Sequence, residues 1–283
     1  MAQAQHQQPF DIRPLSGAIG AELLGIDLSQ PLDEATIAAI RQALLDHLVV
    51  FFRDQEITPE QHVAFAKRFG ETVDYPMLKP LEGHPDIVQV IKLEHETVNF
   101  GGLWHSDMAY TARPPLGTIL CARELPPQGG DTLFANMVLA YESLSDGLRA
   151  LLSTLKAVNS SGQAAVSATR AARLRTDARG EADKVLEAVH PVVRTHPESG
   201  RNLLYVNPAH TLRFEGMTEA ESAPLLRYLF AHQTKPEFTC PFRWQPGSIA
   251  FWDNRAYQHN PVNDYHGYRR VMHRVTIAGD API

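Results

Sequence analysis

Apolar positions along the chain fall into short runs separated by turns, with three stretches of helical period. Over residues 33–47, Ile37, Ile40, Leu44 and Leu48 recur at steps of three and four, which gives a helix one apolar face. That helix runs directly into Leu48-Val-Val-Phe-Phe52, a β-branched and aromatic run of strand character. Thr58-Pro59-Glu60-Gln61 has the parts of a helix start: a capping hydroxyl, proline at the first helical position, and a glutamine that completes a capping box. Gly70 is the expected stop of that helix. Thr218-Glu-Ala-Glu221 repeats the capping-box pattern ahead of Leu225, Leu226 and Leu229. Strands are expected at 87–92, 117–123, 203–206, 238–244, 248–252 and 271–278, with Gln245-Pro246-Gly247 as a turn. Many short strands, few helices and no alternating βαβ series predict an α+β protein that is mainly β. The expected form is an antiparallel barrel or jelly roll with helices packed outside, in a single domain over 1–283. The pattern fades twice, in a flexible tail at 1–10 and in a mobile insertion at 160–188 that is rich in Ala, Arg, Ser and Gly.

Composition narrows the function classes. Of 283 residues, 44% are hydrophobic and 20% charged, which excludes wholesale disorder. A net charge of −6 argues against a nucleic-acid surface. No apolar run reaches the roughly 18–20 residues of a membrane span, and no signal peptide is visible, so a cytoplasmic protein without membrane contact is expected. Cys121 and Cys240 are read as two reduced core thiols. Neither GxGxxG nor GxxxxGK[ST] occurs. The 13 histidines raise the question of which could hold a metal.

Trp104-His105-Ser106-Asp107 places an imidazole and a carboxylate two residues apart, on the same side of an extended backbone. A HxD alone is weak evidence, since by itself it reads first as a polar loop pair. Support comes from His259, expected just past the strand that ends at Phe251-Trp-Asp-Asn254. Two imidazoles and one carboxylate leave one face of an octahedral ion open, which suits non-haem Fe(II). The HExxH of helical zinc hydrolases is absent. Arg270, Met272 and Arg274 alternate along a strand, so both arginines share a face. On an inner face they would need anions; on an edge strand they would be ordinary surface residues. Gly129-Gly130-Asp131-Thr132 reads as a turn that presents a hydroxyl before a strand.

Together these residues resemble the taurine dioxygenase family of Fe(II)- and 2-oxoglutarate-dependent oxygenases. The similarity extends from Ile12 to Asp280 and is densest in WHSDMAYTARPP, ELPPQGGDTLF, HPVVRTHPESGRNLLYVN and WDNRAYQHNPVNDYHGYRRVMHRVTIAGD. The resemblance implies a double-stranded β-helix core. It implies His105, Asp107 and His259 as iron ligands, Arg270 and Thr132 on the distal carboxylate of 2-oxoglutarate, and Arg274 near the anionic group of the substrate. It further implies O2 as co-reactant, decarboxylation of 2-oxoglutarate to succinate, hydroxylation of a substrate carbon, and a homo-oligomer, dimer or tetramer.

The sequence departs from taurine-specific members where substrate would lie. A His and a Tyr are replaced in register by Tyr75 and Leu78, an Asn before the first ligand by Gly101, and a Phe by His210. An anionic organic substrate other than taurine is therefore expected, a sulfonate, alkyl sulfate or carboxylate, in a more apolar pocket that Met77 and Gly102 help to shape. The other histidines are expected to be structural or solvated. Competing readings are taurine dioxygenase proper, and a metal-dependent hydrolase or a non-catalytic binding protein on the same fold.

Overall fold

In a computed structural model of the chain, which describes residues 9–75, 78–163 and 184–283, the apolar run at 49–52 is the third strand of a nine-stranded sheet. This sheet contains β1 (Asp11–Pro14), β2 (Ala21–Leu24), β3 (Val49–Phe52), β4 (Thr72–Val73), β5 (Pro80–Leu81), β6 (His84–Lys92), β7 (Gly117–Glu124), β15 (Ile249–Asp253) and β17 (Arg270–Ile277). Its order is β1-β2-β3-β15-β7-β17-β6-β5, with β4 paired to β17. All pairings are antiparallel except β2 with β3. A second sheet, of β8 (Thr132–Asn136), β14 (Thr239–Phe242) and β16 (Tyr257–Pro261), has β8 at its centre. Smaller sheets join β9 (Lys156–Ser160) to β10 (Glu187–Pro191) and β13 (Thr211–Phe214), and β11 (Val193–Thr195) to β12 (Asn202–Leu204).

The alternation along β3 explains the layering. Val50 and Phe52 face one side, where they pack with Ile119, Phe251 and Val275 against α1 (Glu34–His47) and α2 (Pro59–Lys67). Val49 and Phe51 face the other side, where they pack with Leu120, Trp252 and Met272 against Phe134, Phe242 and Tyr257 of the second sheet. Phe51 and Phe242 stack across this interior with ring centres 3.8 Å apart. The two sheets thus enclose one core, and α1 and α2 cover the outer face of the larger. A further apolar cluster joins α3 (Met137–Glu142), α4 (Asp146–Leu152) and α5 (Glu219–Gln233) to β9, β12 and β13.

Both capping boxes form, Thr58 with Gln61 and Thr218 with Glu221. Helix α2 nevertheless ends at Lys67 on Arg68 in right-handed geometry, so Gly70 is not its left-handed cap. Gly70 serves packing instead: a Cβ there would sit 2.9 Å from Ile277 of β17. Phe10, at the end of the expected tail, is buried in the core against α1, because an aromatic ring beside an apolar cluster gains more from burial than from solvent. Residues 1–8, Met77 and 164–183 lie outside the described residues. The ends of the expected insertion are strand: Ser160 of β9 pairs with Glu187 of β10. Cys121 and Cys240 are free and buried in different sheets. Among the described residues no helix is long and apolar enough to cross a membrane.

Candidate active site

His105, Asp107 and His259 converge within the β-sheet core, with one ligand atom from each lying within 4.8 Å of the others. His259 sits on β16 itself rather than past a strand. It forms an isolated antiparallel bridge with His105, closed by His105 N–H to His259 C=O at 3.0 Å and the reverse bond at 2.9 Å. The two imidazoles therefore come together because their backbones pair. Their rings are 4.1 Å apart between centres.

Each of the three side chains is oriented by a neighbour. His105 Nδ1 lies 2.6 Å from the Leu103 carbonyl, to which it donates, so Nε2 keeps its lone pair and sits 3.6 Å from Asp107 Oδ1. His259 Nδ1 bonds the Tyr257 hydroxyl at 2.8 Å. Asp107 Oδ2 accepts from Thr118 Oγ1, Trp252 Nε1 and Arg274 Nη2, each at 3.2 Å, which leaves Oδ1 for an ion. The main chain of Asp107 is clamped as well. Its N–H donates to Asn254 Oδ1 at 2.6 Å, and its carbonyl accepts from Asn254 Nδ2 at 3.0 Å. Asn254 is fixed by the turn after β15. There Arg255 grips Asp253 with Nε on Oδ1 at 2.8 Å and Nη2 on Oδ2 at 2.6 Å, and His196 Nε2 lies 3.0 Å from Asp253 Oδ2.

Protonation states match the donor set. Burial pushes both ligand imidazoles toward the neutral form, and for His259 the neighbouring His105 pushes further. Burial alone would raise the Asp107 carboxyl, but the Arg274 guanidinium, with help from the Trp252 hydrogen bond, holds it far below the usual carboxylate range. Two neutral nitrogens and one ionised oxygen are the ligands that a borderline divalent cation takes.

Arg270 is buried, with Nε and Nη2 lacking any hydrogen-bond partner, and its guanidinium lies 5.6 Å from the centre of the Trp244 ring. Trp244 Nε1 donates to Thr132 Oγ1 at 3.0 Å, so the Thr132 hydroxyl retains its own proton to donate. A buried cation with open donors, joined through Trp244 to an oriented hydroxyl, is suited to receive an anionic group.

A cavity of about 230 Å³ opens beside the triad. Tyr75, Gly101 and His210 line it together with His105 and Asp107, and apolar side chains such as Val98, Phe100 and Met108 supply most of the wall. Leu78 is not on that wall. It is buried behind it with Tyr75, Val88 and Tyr110. Arg274 is likewise set back, paired with Asp107, bonded through Nε to Thr276 Oγ1 at 3.2 Å, and 4.8 Å from the Tyr75 ring centre. Its Nη1 makes no hydrogen bond among the described residues. Gly101 has φ +73°, and a Cβ there would meet His105 Cε1 at 2.9 Å, so the turn before the first ligand needs glycine twice over. Sequence reasoning missed Trp252, Asn254 and Thr118 as supports of Asp107. The first two lie in the WDN segment it had singled out without assigning roles.

Comparison with known proteins places these features in context. Residues 11–276 match the family described as Taurine catabolism dioxygenase TauD, TfdA family. The chain is 37% identical to an alpha-ketoglutarate-dependent sulfate ester dioxygenase of Pseudomonas putida, covering 100% of this chain and 94% of the relative. It is 35% identical to an alkylsulfatase of Acinetobacter baylyi, covering 96% and 86%. The crystal structure of a taurine dioxygenase from Burkholderia xenovorans, 40% identical, superposes with a TM-score of 0.82 over 97% of this chain and 92% of that one.

Proposed function

The chain belongs to the taurine catabolism dioxygenase TauD, TfdA family, and from that membership we propose that it hydroxylates a small anionic organic substrate with an apolar body. It is an oxidoreductase, a 2-oxoglutarate-dependent dioxygenase. In this reading a single double-stranded β-helix domain holds Fe(II) through His105, Asp107 and His259, and Arg270 and Thr132 receive the distal carboxylate of 2-oxoglutarate. The observation that carries the reading is Arg270, a buried guanidinium with two nitrogens free of partners beside the oriented Thr132 hydroxyl. A hydrolase or a binding protein built on the same triad has no use for it.

Bound iron supplies, with 2-oxoglutarate and O2, the oxidising power to replace a substrate C–H by C–OH. The chain's own contribution is positional. The Leu103 carbonyl fixes the His105 tautomer, the Tyr257 hydroxyl orients the His259 ring, and three donors on Oδ2 turn Oδ1 of Asp107 toward the metal. The apolar wall formed by Val98, Phe100 and Met108 holds the substrate body against the open metal face and excludes water. The substrate anion approaches Nη1 of Arg274, the nitrogen left over after Asp107, Thr118 and Thr276 take theirs, while Tyr75 and His210 shape the approach. Hydroxylation at the carbon that bears a sulfate, sulfonate or aryl ether yields an unstable product. That product collapses to a carbonyl and releases sulfate, sulfite or phenol. Sulfate ester turnover by the Pseudomonas putida relative and the apolar cavity favour alkyl sulfates and aryloxy carboxylates over taurine. Work in the cytoplasm as a dimer or tetramer completes the reading.

The test is a panel of alkyl sulfates, sulfonates and aryloxyalkanoates with Fe(II), scored by succinate. Succinate formed in step with substrate loss is expected, with taurine poor. Product release without 2-oxoglutarate consumption would identify a hydrolase, and taurine turnover at micromolar half-saturation would overturn the substrate assignment.

A further inference from the structure

The register of β17 against β6 sets Lys92 directly opposite Arg270, Val90 opposite Met272 and Val88 opposite Arg274. Side chains alternate across a strand, so the face that carries Arg270 and Arg274 on β17 carries Lys92 on β6. Directly opposed residues in an antiparallel pair have Cβ atoms roughly 4.5–5.5 Å apart, and like charges there repel. Both cations are buried, Lys92 at 2% exposure and Arg270 at 5%. Neither forms a salt bridge among the described residues. The Lys92 ammonium makes one long bond, 3.4 Å to the Tyr265 carbonyl, and rests 4.4 Å from the centre of that tyrosine's ring. Ring faces soften the charge but accept few of the N–H groups on the two cations. A small cavity borders Lys92, Arg270, Asn99 and Tyr265, and Phe100 is a wall common to it and the larger cavity beside the triad. Two opposed, buried, unpaired cations are costly unless an anion joins them.

We propose that Lys92 is a second residue for the cosubstrate, its ammonium and the Arg270 guanidinium closing on the distal carboxylate of 2-oxoglutarate from two sides while Thr132 donates from a third. The inference rests on the dioxygenase reading. It makes the site selective for dicarboxylic over monocarboxylic oxo acids, because an oxo acid that lacks the distal carboxylate leaves the two cations facing each other.

Calorimetric titration of the Mn(II)-loaded full chain tests this without turnover. The ligands are 2-oxoglutarate and 2-oxobutyrate, which share the metal-chelating head and differ in the distal carboxylate. Lys92→Met, which keeps the stem and removes the charge, should bind 2-oxoglutarate about 10- to 100-fold more weakly and 2-oxobutyrate as the wild type does. Lys92→Arg should retain most of the affinity. Should Lys92→Met not accumulate as folded protein, Lys92→Gln takes its place under the same criteria. Unchanged affinity for 2-oxoglutarate in the charge-removing variant, or equal loss for both oxo acids, overturns the role of Lys92. A wild type that binds no 2-oxoglutarate overturns the dioxygenase reading and this inference with it.

Discussion

Asp107 is held at five points by side chains from distant parts of the chain. Thr118, Trp252 and Arg274 take one carboxylate oxygen, and Asn254 takes both backbone groups. Such partners of a ligand set its direction, and losing one weakens metal binding by about 10- to 100-fold. Trp252→Phe keeps the ring in its core slot and removes one bond to Oδ2. We expect a loss of Mn(II) affinity within that range in a metal titration, with little change in folding; an unchanged affinity would show the bond to be idle. Gly101→Ala should act on the other side of the centre. It forces a side chain into left-handed backbone and against His105, so lower thermal stability and weaker metal binding are expected together. The grouping of His105, Asp107 and His259 was legible in the sequence because HxD and the distant His259 carry chemistry in their residue types. Asn254 was not, because an amide clamp on another residue's main chain depends on how the turn after β15 meets residue 107. Leu78 shows the converse: motif register gave a position, but not its depth behind the cavity wall.

At the scale of elements, capping boxes were the most readable feature, since their chemistry is complete within four residues. Thr218→Ala should cost about 0.5–2 kcal/mol in chemical denaturation, with activity retained well below the melting temperature, because Thr218 caps the exposed N-terminal end of α5, which packs on the sheet of β9 and β13. Gly70 was misread for the same local reason in reverse. A glycine after an apparent helix end predicts a left-handed cap, yet here the demand comes from Ile277 across the fold, which no local window contains. The strands β8, β9, β10, β13 and β16 were less legible. Their sequences mix polar and apolar residues, as in β16, where Tyr257, Gln258 and His259 follow one another and the Tyr257 hydroxyl bonds the His259 ring.

At the scale of the molecule, a buried histidine adds to the acid sensitivity of the fold. His62 on α2 is fully buried, with Nε2 3.2 Å from the Ile119 carbonyl, and burial lowers its pKa to about 3. The unfolded chain takes up this proton near the ordinary histidine value while the folded chain refuses it. The stability from a neutral His62 is therefore complete above about pH 6.5 and is lost as pH falls from there toward 3, at up to about 1.4 kcal/mol per pH unit. His62→Gln, which can still donate to Ile119, should flatten the decline of the urea midpoint over that window; an unaltered slope would assign the acid sensitivity elsewhere. The mainly β character with helices packed outside followed from the density of short strands, whereas the pairing of His105 with His259 required the three-dimensional register. One dimension of that architecture also sets a measurable scale. With about 230 Å³ beside the triad, the wall can embrace only a limited length of aliphatic chain. Each methylene it shelters from water contributes about 0.8 kcal/mol, roughly fourfold in kcat/KM. Across a homologous series of straight-chain substrates, kcat/KM should climb by about that factor per carbon and then level off. The carbon number at the plateau would make the enzyme a ruler that reports its own depth.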